Sequence, residues 1–385
     1  MGMHERTADD GARTVGEAGE LETLRRVLSV LPEPPDDVLG AGDDAAVVPA
    51  PDGRFVVTTD LMVEVPDFRR FWSRPEELGA KAIVSNASDV AAMGATPTSF
   101  VIGLAVPGTT PLAWVEGFAR GLRDAIDELV PGAHVVGGDL SRGERVLVSV
   151  TAFGDLDDGA PVRRSGAAPG DVLALAGAAG RSATGLALLL RADADPDGEP
   201  PLGSVPDRLR ALGPAAAAVV DQHLAPVAPV LAGAAAREAG ASAMLDVSDG
   251  LALDAARLAR ASGVTVDLDP SAFADDVAAS RDALRLAAPE LGAGELDAWA
   301  LDLVLGGGED HSLLASFPPG TELPAPFHAV GRVTGTVEDR RTPAERAAGF
   351  VPDADGARVT VGGEPRVLGG WDPYTAPGAR TRGDG

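Results

Sequence analysis

Four short stretches of the chain set acidic residues beside glycine: Gly42-Asp43-Asp44, Gly137-Gly138-Asp139, Asp246-Val247-Ser248-Asp249-Gly250 and Gly306-Gly307-Gly308-Glu309-Asp310. Glycine at such points lets the backbone turn sharply, so a chain punctuated this way breaks into short elements with carboxylates at their ends. Carboxylates converging from separate turns repel one another unless positive charge lies between them. A hard divalent cation supplies it: magnesium takes oxygen ligands, keeps several waters and sits between a few carboxylates and a bound phosphate. The pattern points to phosphoryl transfer from a nucleotide. For any one stretch alone, ordinary turn chemistry is the competing explanation.

At 385 residues the chain exceeds one ordinary core, which suggests two domains, and 45% hydrophobic residues suffice to build them. A formal charge of -26 opposes a nucleic-acid or anionic-membrane partner, both of which need a basic footprint. An anionic substrate must then be met locally, by metal and a few arginines. Cysteine is absent, which excludes disulfides, thiolate catalysis and zinc-thiolate sites, and the five scattered histidines argue against a transition-metal centre. No apolar run approaches a membrane span and the acidic first twenty residues lack a signal-peptide pattern, so a cytoplasmic protein is expected. Lys81 is the only lysine.

Residues 1–18 and 375–385 read as polar, flexible tails. A helix is expected over 20–31, strands over 45–48, 55–59, 99–106, 134–136 and 145–153, and helices over 75–93 and 112–129. This makes an N-terminal α/β unit over 19–155. The segment 154–170, rich in Asp, Gly, Pro and Arg, reads as a junction. A second α/β unit over 163–374 follows, with strands at 172–176, 243–247, 264–268, 312–317, 327–333 and 359–361. Its helices are expected at 183–191, 226–238 and 251–262, and residues 192–206 read as a surface insertion.

Gly40-Ala41-Gly42-Asp43-Asp44-Ala45 formally fits a dinucleotide fingerprint, but the flanking prolines deny it the strand before and helix after that the fingerprint needs. A hairpin over 45–59 fits better, with Asp44 at one base and Thr58-Thr59-Asp60 ending the returning strand. The helix over 75–93 should be buried, yet Lys81, Ser85, Ser88 and Asp89 form a polar stripe on it that needs a partner, either a ligand or internal hydrogen bonds. Asp246-Val247-Ser248-Asp249-Gly250 runs from strand into helix. One side chain there can cap the helix, leaving further carboxylates for a metal-phosphate site. Arg163-Arg164-Ser165-Gly166 is a phosphate-fork candidate, although an arginine pair alone is ordinarily solvated surface.

Taken in order, the segments 40–48, 58–64 (Thr-Thr-Asp-Leu-Met-Val-Glu), 85–95 (Ser-Asn-Ala-Ser-Asp-Val-Ala-Ala-Met-Gly-Ala), 137–139, 246–251, 307–310 and 370–372 (Gly-Trp-Asp) resemble the thiamine-monophosphate kinase family, over about residues 16–374. That family belongs to the aminoimidazole ribonucleotide synthetase-like superfamily. The resemblance implies a two-domain α/β (α+β) protein: an N-terminal mixed-sheet domain that pairs across a homodimer, a C-terminal α/β domain, and ATP between them. It implies magnesium ligands at Asp44, Thr58, Thr59, Asp60, Asp89, Asp139, Asp246 and Asp249. It places ATP against Gly138, Asp139, Arg164 and Ser248, and thiamine monophosphate against Asp67, Glu309 and Trp371.

Departures cluster on the acceptor side: Asp67 stands where the family carries histidine, His311 where it carries tyrosine, and Leu140-Ser141 where it carries a threonine pair. The reaction implied is ATP plus thiamine monophosphate giving ADP plus thiamine diphosphate, by direct in-line transfer assisted by several magnesium ions. The attacking phosphate oxygen is mostly ionised at neutral pH, so no general base is required. Another ATP-using member of the superfamily with a different small substrate is the alternative. A nicotinamide-dependent dehydrogenase and a non-catalytic metal-binding protein are the readings from other classes.

Overall fold

Along Leu147–Asp155 every second residue is buried, the period-two signature of a strand with one face on a core. The computed structural model describes residues 13–35, 37–40, 45–192, 203–336 and 358–365. Two short helices, α1 (Val15–Ala18) and α2 (Glu20–Leu28), lead into the N-terminal half. There follow β1 (Val56–Val63), α3 (Pro75–Ala92), β2 (Thr96–Val106), α4 (Leu112–Leu129), β3 (His134–Arg142) and β4 (Leu147–Asp155). The four strands form a mixed sheet in the order β1-β4-β2-β3, in which β2 and β3 run parallel. Phe100, Ile102 and Leu104 of β2 and Val148, Val150 and Ala152 of β4 belong to the core that includes α3 and α4.

The second half runs β5 (Val172–Ala176), α5 (Arg181–Ala192), α6 (Ser204–Arg210), α7 (Pro214–Leu224), α8 (Ala232–Glu238), β6 (Ala243–Val247), α9 (Leu251–Ser262) and β7 (Val264–Leu268). It continues through α10 (Ala274–Ala287), α11 (Ala293–Gly306), β8 (Ser312–Phe317), β9 (His328–Thr336), β10 (Val359–Val361) and β11 (Glu364–Pro365). The sheet order is β11-β10-β7-β9-β5-β8-β6. Alternate residues divide its faces. Leu173, Leu175, Leu245 and Leu314 pack with α9, while Ala174, Ala176, Met244 and Ala315 join the core around α3. Helices α5, α6, α7, α10 and α11 enclose a third core, into which the β1–α3 loop inserts Trp72.

Helix α3 is therefore shared by both sheets. Its small residues let it approach so closely that a Cβ on Gly121 of α4 would lie 2.0 Å from the Glu76 carbonyl oxygen. No described helix is long and apolar enough to cross a membrane.

Several sequence expectations are corrected. Residues 45–48 make no strand beyond a Leu39–Val47 bridge, so the expected hairpin is absent and β1 instead pairs with β4, running on to Val63. Thr58-Thr59-Asp60 thus lie within β1 rather than at its end. Strand β3 continues through Gly137-Gly138-Asp139, which is not a turn; glycine at 138 reflects closeness to β2, since a Cβ there would meet the Ile102 carbonyl oxygen at 2.1 Å. Helix α8 begins only at Ala232, after Pro226 and Pro229, and α6, α7, α10 and α11 were not expected.

Candidate active site

Strand β1 faces α3 with alternate residues, because Thr58 and Asp60 pair with the core residues Ala152 and Val150 of β4. Thr58 donates from Oγ1 to Asp89 Oδ2 at 2.8 Å, and the Asp60 N–H donates to Asn86 Oδ1 at 3.1 Å. Since β1 is an edge strand, a helix side chain satisfies a backbone donor that lacks a further strand beside it. Asn86 and Asp89 lie three residues apart and so share one side of α3.

From the second sheet, Asp246 lies on the α3 side of β6, 5% exposed. His311, on the turn into β8, sits between α3 and β6: Ser85 Oγ at 3.3 Å, Ser88 Oγ at 3.4 Å and Asp246 Oδ2 at 3.8 Å. Lys81, buried on α3, reaches Glu309 Oε2 at 2.7 Å, while Glu309 remains one-third exposed. Asp310, on the same turn, accepts the N–H groups of Gly180 (2.5 Å) and Ser182 (2.8 Å) at the start of α5. The turn is thereby fixed to the C-terminal half at one residue and to α3 at both neighbours.

The acidic residues feel one another. Burial, then the charges of Asp246 and Asp60, push the Asp89 carboxyl up to about 7, against the Thr58 hydrogen bond. Burial likewise raises Asp60, with Asp246, Glu309 and Asp249 adding to it and His311 opposing. Burial works against the charge of Glu309 too, but Lys81, followed by His311, more than offsets it and holds the carboxyl at about 2. Burial opposes protonation of His311, yet Asp246 and Glu309 raise it.

The structure thus brings Thr58, Asp60, Asp89, Asp246, Asp249 and Glu309 to one cleft where α3 meets both sheets. Ser248 is there as well, its carbonyl accepting the Glu309 N–H at 2.8 Å. Asp67 borders it: its carboxylate closes the loop after β1 by accepting the Val63 N–H at 2.7 Å, and burial, then Glu309, raise its pKa. Thr59 points to the other face, donating to the Val150 carbonyl.

Asp139, adjacent to Gly138 on β3, pairs with Gly103 on that outer face and on the edge opposite β1, where Ser141 donates to it at 2.8 Å. Arg164 is exposed, and its carbonyl meets Ser262 Oγ at the C-terminal end of α9, about 16 Å from the Asp249 end by the rise of a helix that long. Neither joins the cleft within one chain. Asp44 and Trp371 lie outside the described residues.

Sequence reasoning missed Asn86, although it stands beside the polar stripe, and the Asp254–Arg257 pair behind Asp249. Spacing could have found the latter, since Arg257 lies about two helical turns beyond Asp249.

Oxygen donors whose charges are mutually costly suit a hard divalent cation. Among the described residues no three acidic or histidine side chains close around one point. The arrangement fits ions that complete their coordination with water and phosphate rather than an all-protein cage.

The description "AIR synthase related protein, N-terminal domain" matches residues 42–156. Thiamine-monophosphate kinase of Mycobacterium tuberculosis is 43% identical over 320 residues, covering 83% of this chain and 86% of that one. The Corynebacterium glutamicum kinase is 40% identical over 340 residues, covering 86% and 92%. Among solved structures, thiamine-monophosphate kinase from Stenotrophomonas maltophilia has TM-score 0.66 and 28% identity over 89% of this chain and 95% of that one. The structure described as "AaThiL complexed with AMPPCP and TMP" has TM-score 0.63 and 26% identity over 96% and 99%.

Proposed function

The chain belongs to the thiamine-monophosphate kinase family, and from that premise we propose that this cleft transfers the terminal phosphoryl group of ATP to thiamine monophosphate, giving ADP and thiamine diphosphate. The observation that carries the reading is the gathering of Asp60, Asp89, Asp246 and Asp249 from β1, α3, β6 and the β6–α9 turn, with Glu309 beside them. Two polyanions meeting there repel one another, and magnesium ions bound to these carboxylates would screen that repulsion.

The protein's own groups orient the reactants. Thr58 and Asn86 hold Asp89 and Asp60 in position. Glu309, its charge already matched by Lys81, presents its remaining oxygen as a hydrogen-bond acceptor suited to the substrate's amino group. Asp67, near Glu309, contributes negative charge toward the cationic ring. No side chain need take a proton from the attacking phosphate oxygen.

We extend the reading to a homodimer. The outer face of the first sheet carries Val57 and Leu61, 53% and 55% exposed, and an apolar groove of about 1070 Å³ runs over it beneath α2. A second copy would cover that face. If Asp139 serves the nucleotide or its ions in this cleft, it does so from the partner.

The direct test measures magnesium-dependent ADP release with thiamine monophosphate, thiamine, hydroxymethylpyrimidine phosphate and aminoimidazole precursors. Turnover with the first alone is expected. Equal or greater turnover with another acceptor would reject the substrate assignment.

A further inference from the structure

Asp249 does not stand free on its turn. Arg257, farther along α9, donates from Nη1 to Asp249 Oδ2 at 2.5 Å and to Asp254 Oδ1 at 2.6 Å. Asp254 is 1% exposed, and its other oxygen accepts the backbone N–H groups of Asp249 (3.0 Å) and Gly250 (3.2 Å). The turn is thus pinned twice, through its backbone by Asp254 and through its carboxylate by Arg257. Gly250 adds rigidity: its φ is +125°, and a Cβ there would lie 2.6 Å from the Gly306 carbonyl oxygen. Among the described residues no hydrogen bond reaches Asp249 Oδ1.

We propose that Arg257 is a positioning residue for phosphoryl transfer, holding Asp249 by one oxygen so that the other faces the cation in the cleft. This rests on the reading of Asp249 as a cation ligand. Groups that hydrogen-bond a ligating carboxylate fix its direction, and their loss typically weakens metal binding by about 10–100-fold. A guanidinium suits the task because it cannot lose its proton and because its planar fork keeps a set direction. The rival is that Arg257 serves only as an internal counter-ion, which an entering cation must displace; its removal would then tighten cation binding. The geometry opposes that rival, because Arg257 engages only one of Asp249's oxygens and has a second, independent partner in buried Asp254.

The test uses a charge-balanced double variant, Asp254→Asn with Arg257→Met, in the full chain. It removes one charge of each sign, and asparagine keeps an acceptor for the two N–H groups of the turn. Manganese(II) is the probe, with free ion counted by electron paramagnetic resonance in the absence of turnover. Affinity for manganese is expected to fall at least about tenfold, while thiamine monophosphate binding by calorimetry stays within about twofold. Arg257→Lys, which keeps the charge, should recover part of the loss, and it serves as the test should circular dichroism show the double variant unfolded. Unchanged or tighter manganese binding, while Asp249→Asn weakens it, would overturn the role of Arg257. Unchanged binding in Asp249→Asn as well would overturn the ligand assignment beneath it.

Discussion

Asp89 bears a strained charge, its carboxyl raised from 3.8 to about 7 by burial and by Asp246 and Asp60, as burial raises Asp254 and Asp310 to about 7 elsewhere. A carboxyl whose pKa is higher folded than unfolded binds its proton more tightly in the native state. Its contribution to stability is present at low pH and is lost as pH rises from about 4 through about 7. The cation-free protein should therefore show a falling thermal midpoint over that range, to which Asp254 and Asp310 also contribute, and Asp89→Asn should make the fall shallower while abolishing magnesium-dependent ADP release. Scanning fluorimetry in chelator checks the first, and an unaltered pH slope in the variant would contradict the assignment. On the acceptor side, Glu309→Ala and Asp67→Ala should each weaken thiamine monophosphate binding by on the order of 1 kcal/mol and leave the Michaelis constant for ATP nearly unchanged. Steady-state kinetics with each substrate varied separates the two.

Helix α3 carries the site because it touches both sheets at once. Small residues bring it onto α4, and its polar stripe turns toward the turns of the second half: Lys81 to Glu309, Ser85 and Ser88 to His311. Lys81→Met would strand Glu309 without its counter-charge. Breaking a buried pair costs about 3–5 kcal/mol, and with Glu309 one-third exposed about 1–3 kcal/mol is expected in urea unfolding, partly recovered by adding Glu309→Gln. Gly121→Ala tests the packing itself. A methyl group 2.0 Å from the Glu76 carbonyl must push α3 away from α4, at a cost of about 1–3 kcal/mol and with reduced turnover, since Lys81 and Asp89 move with the helix.

For the whole molecule the decisive fact is that Asp139 lies on the outer face and far edge of the first sheet, away from Asp60 and Asp89. Light scattering should give a mass of two chains. If each cleft draws Asp139 from the partner, Asp89→Asn and Asp139→Asn are each inactive alone, but refolding them together should restore activity, because the mixed dimer holds one cleft with both residues intact. No recovery in mixed dimers would place Asp139 outside the partner's cleft.

The sequence by itself determined the place of most strands, the burial of a helix bearing Lys81, Ser85, Ser88 and Asp89, and the acidic turn from β6 into α9. These are local matters of periodicity, glycine placement and residue type, which short windows express. Only the tertiary structure decided that Gly137-Gly138-Asp139 is strand rather than turn, because closeness to Ile102 on β2, not local bending, is what demands glycine there. It likewise decided that Lys81 pairs with Glu309, that His311 packs against Ser85, Ser88 and Asp246, and that Arg164 stands an α9 length from Asp249. The contacts of Lys81 with Glu309 and of His311 with Ser85 and Ser88 depend on how two sheets close on one helix. Contacts between residues more than 200 positions apart leave no periodic trace in the chain.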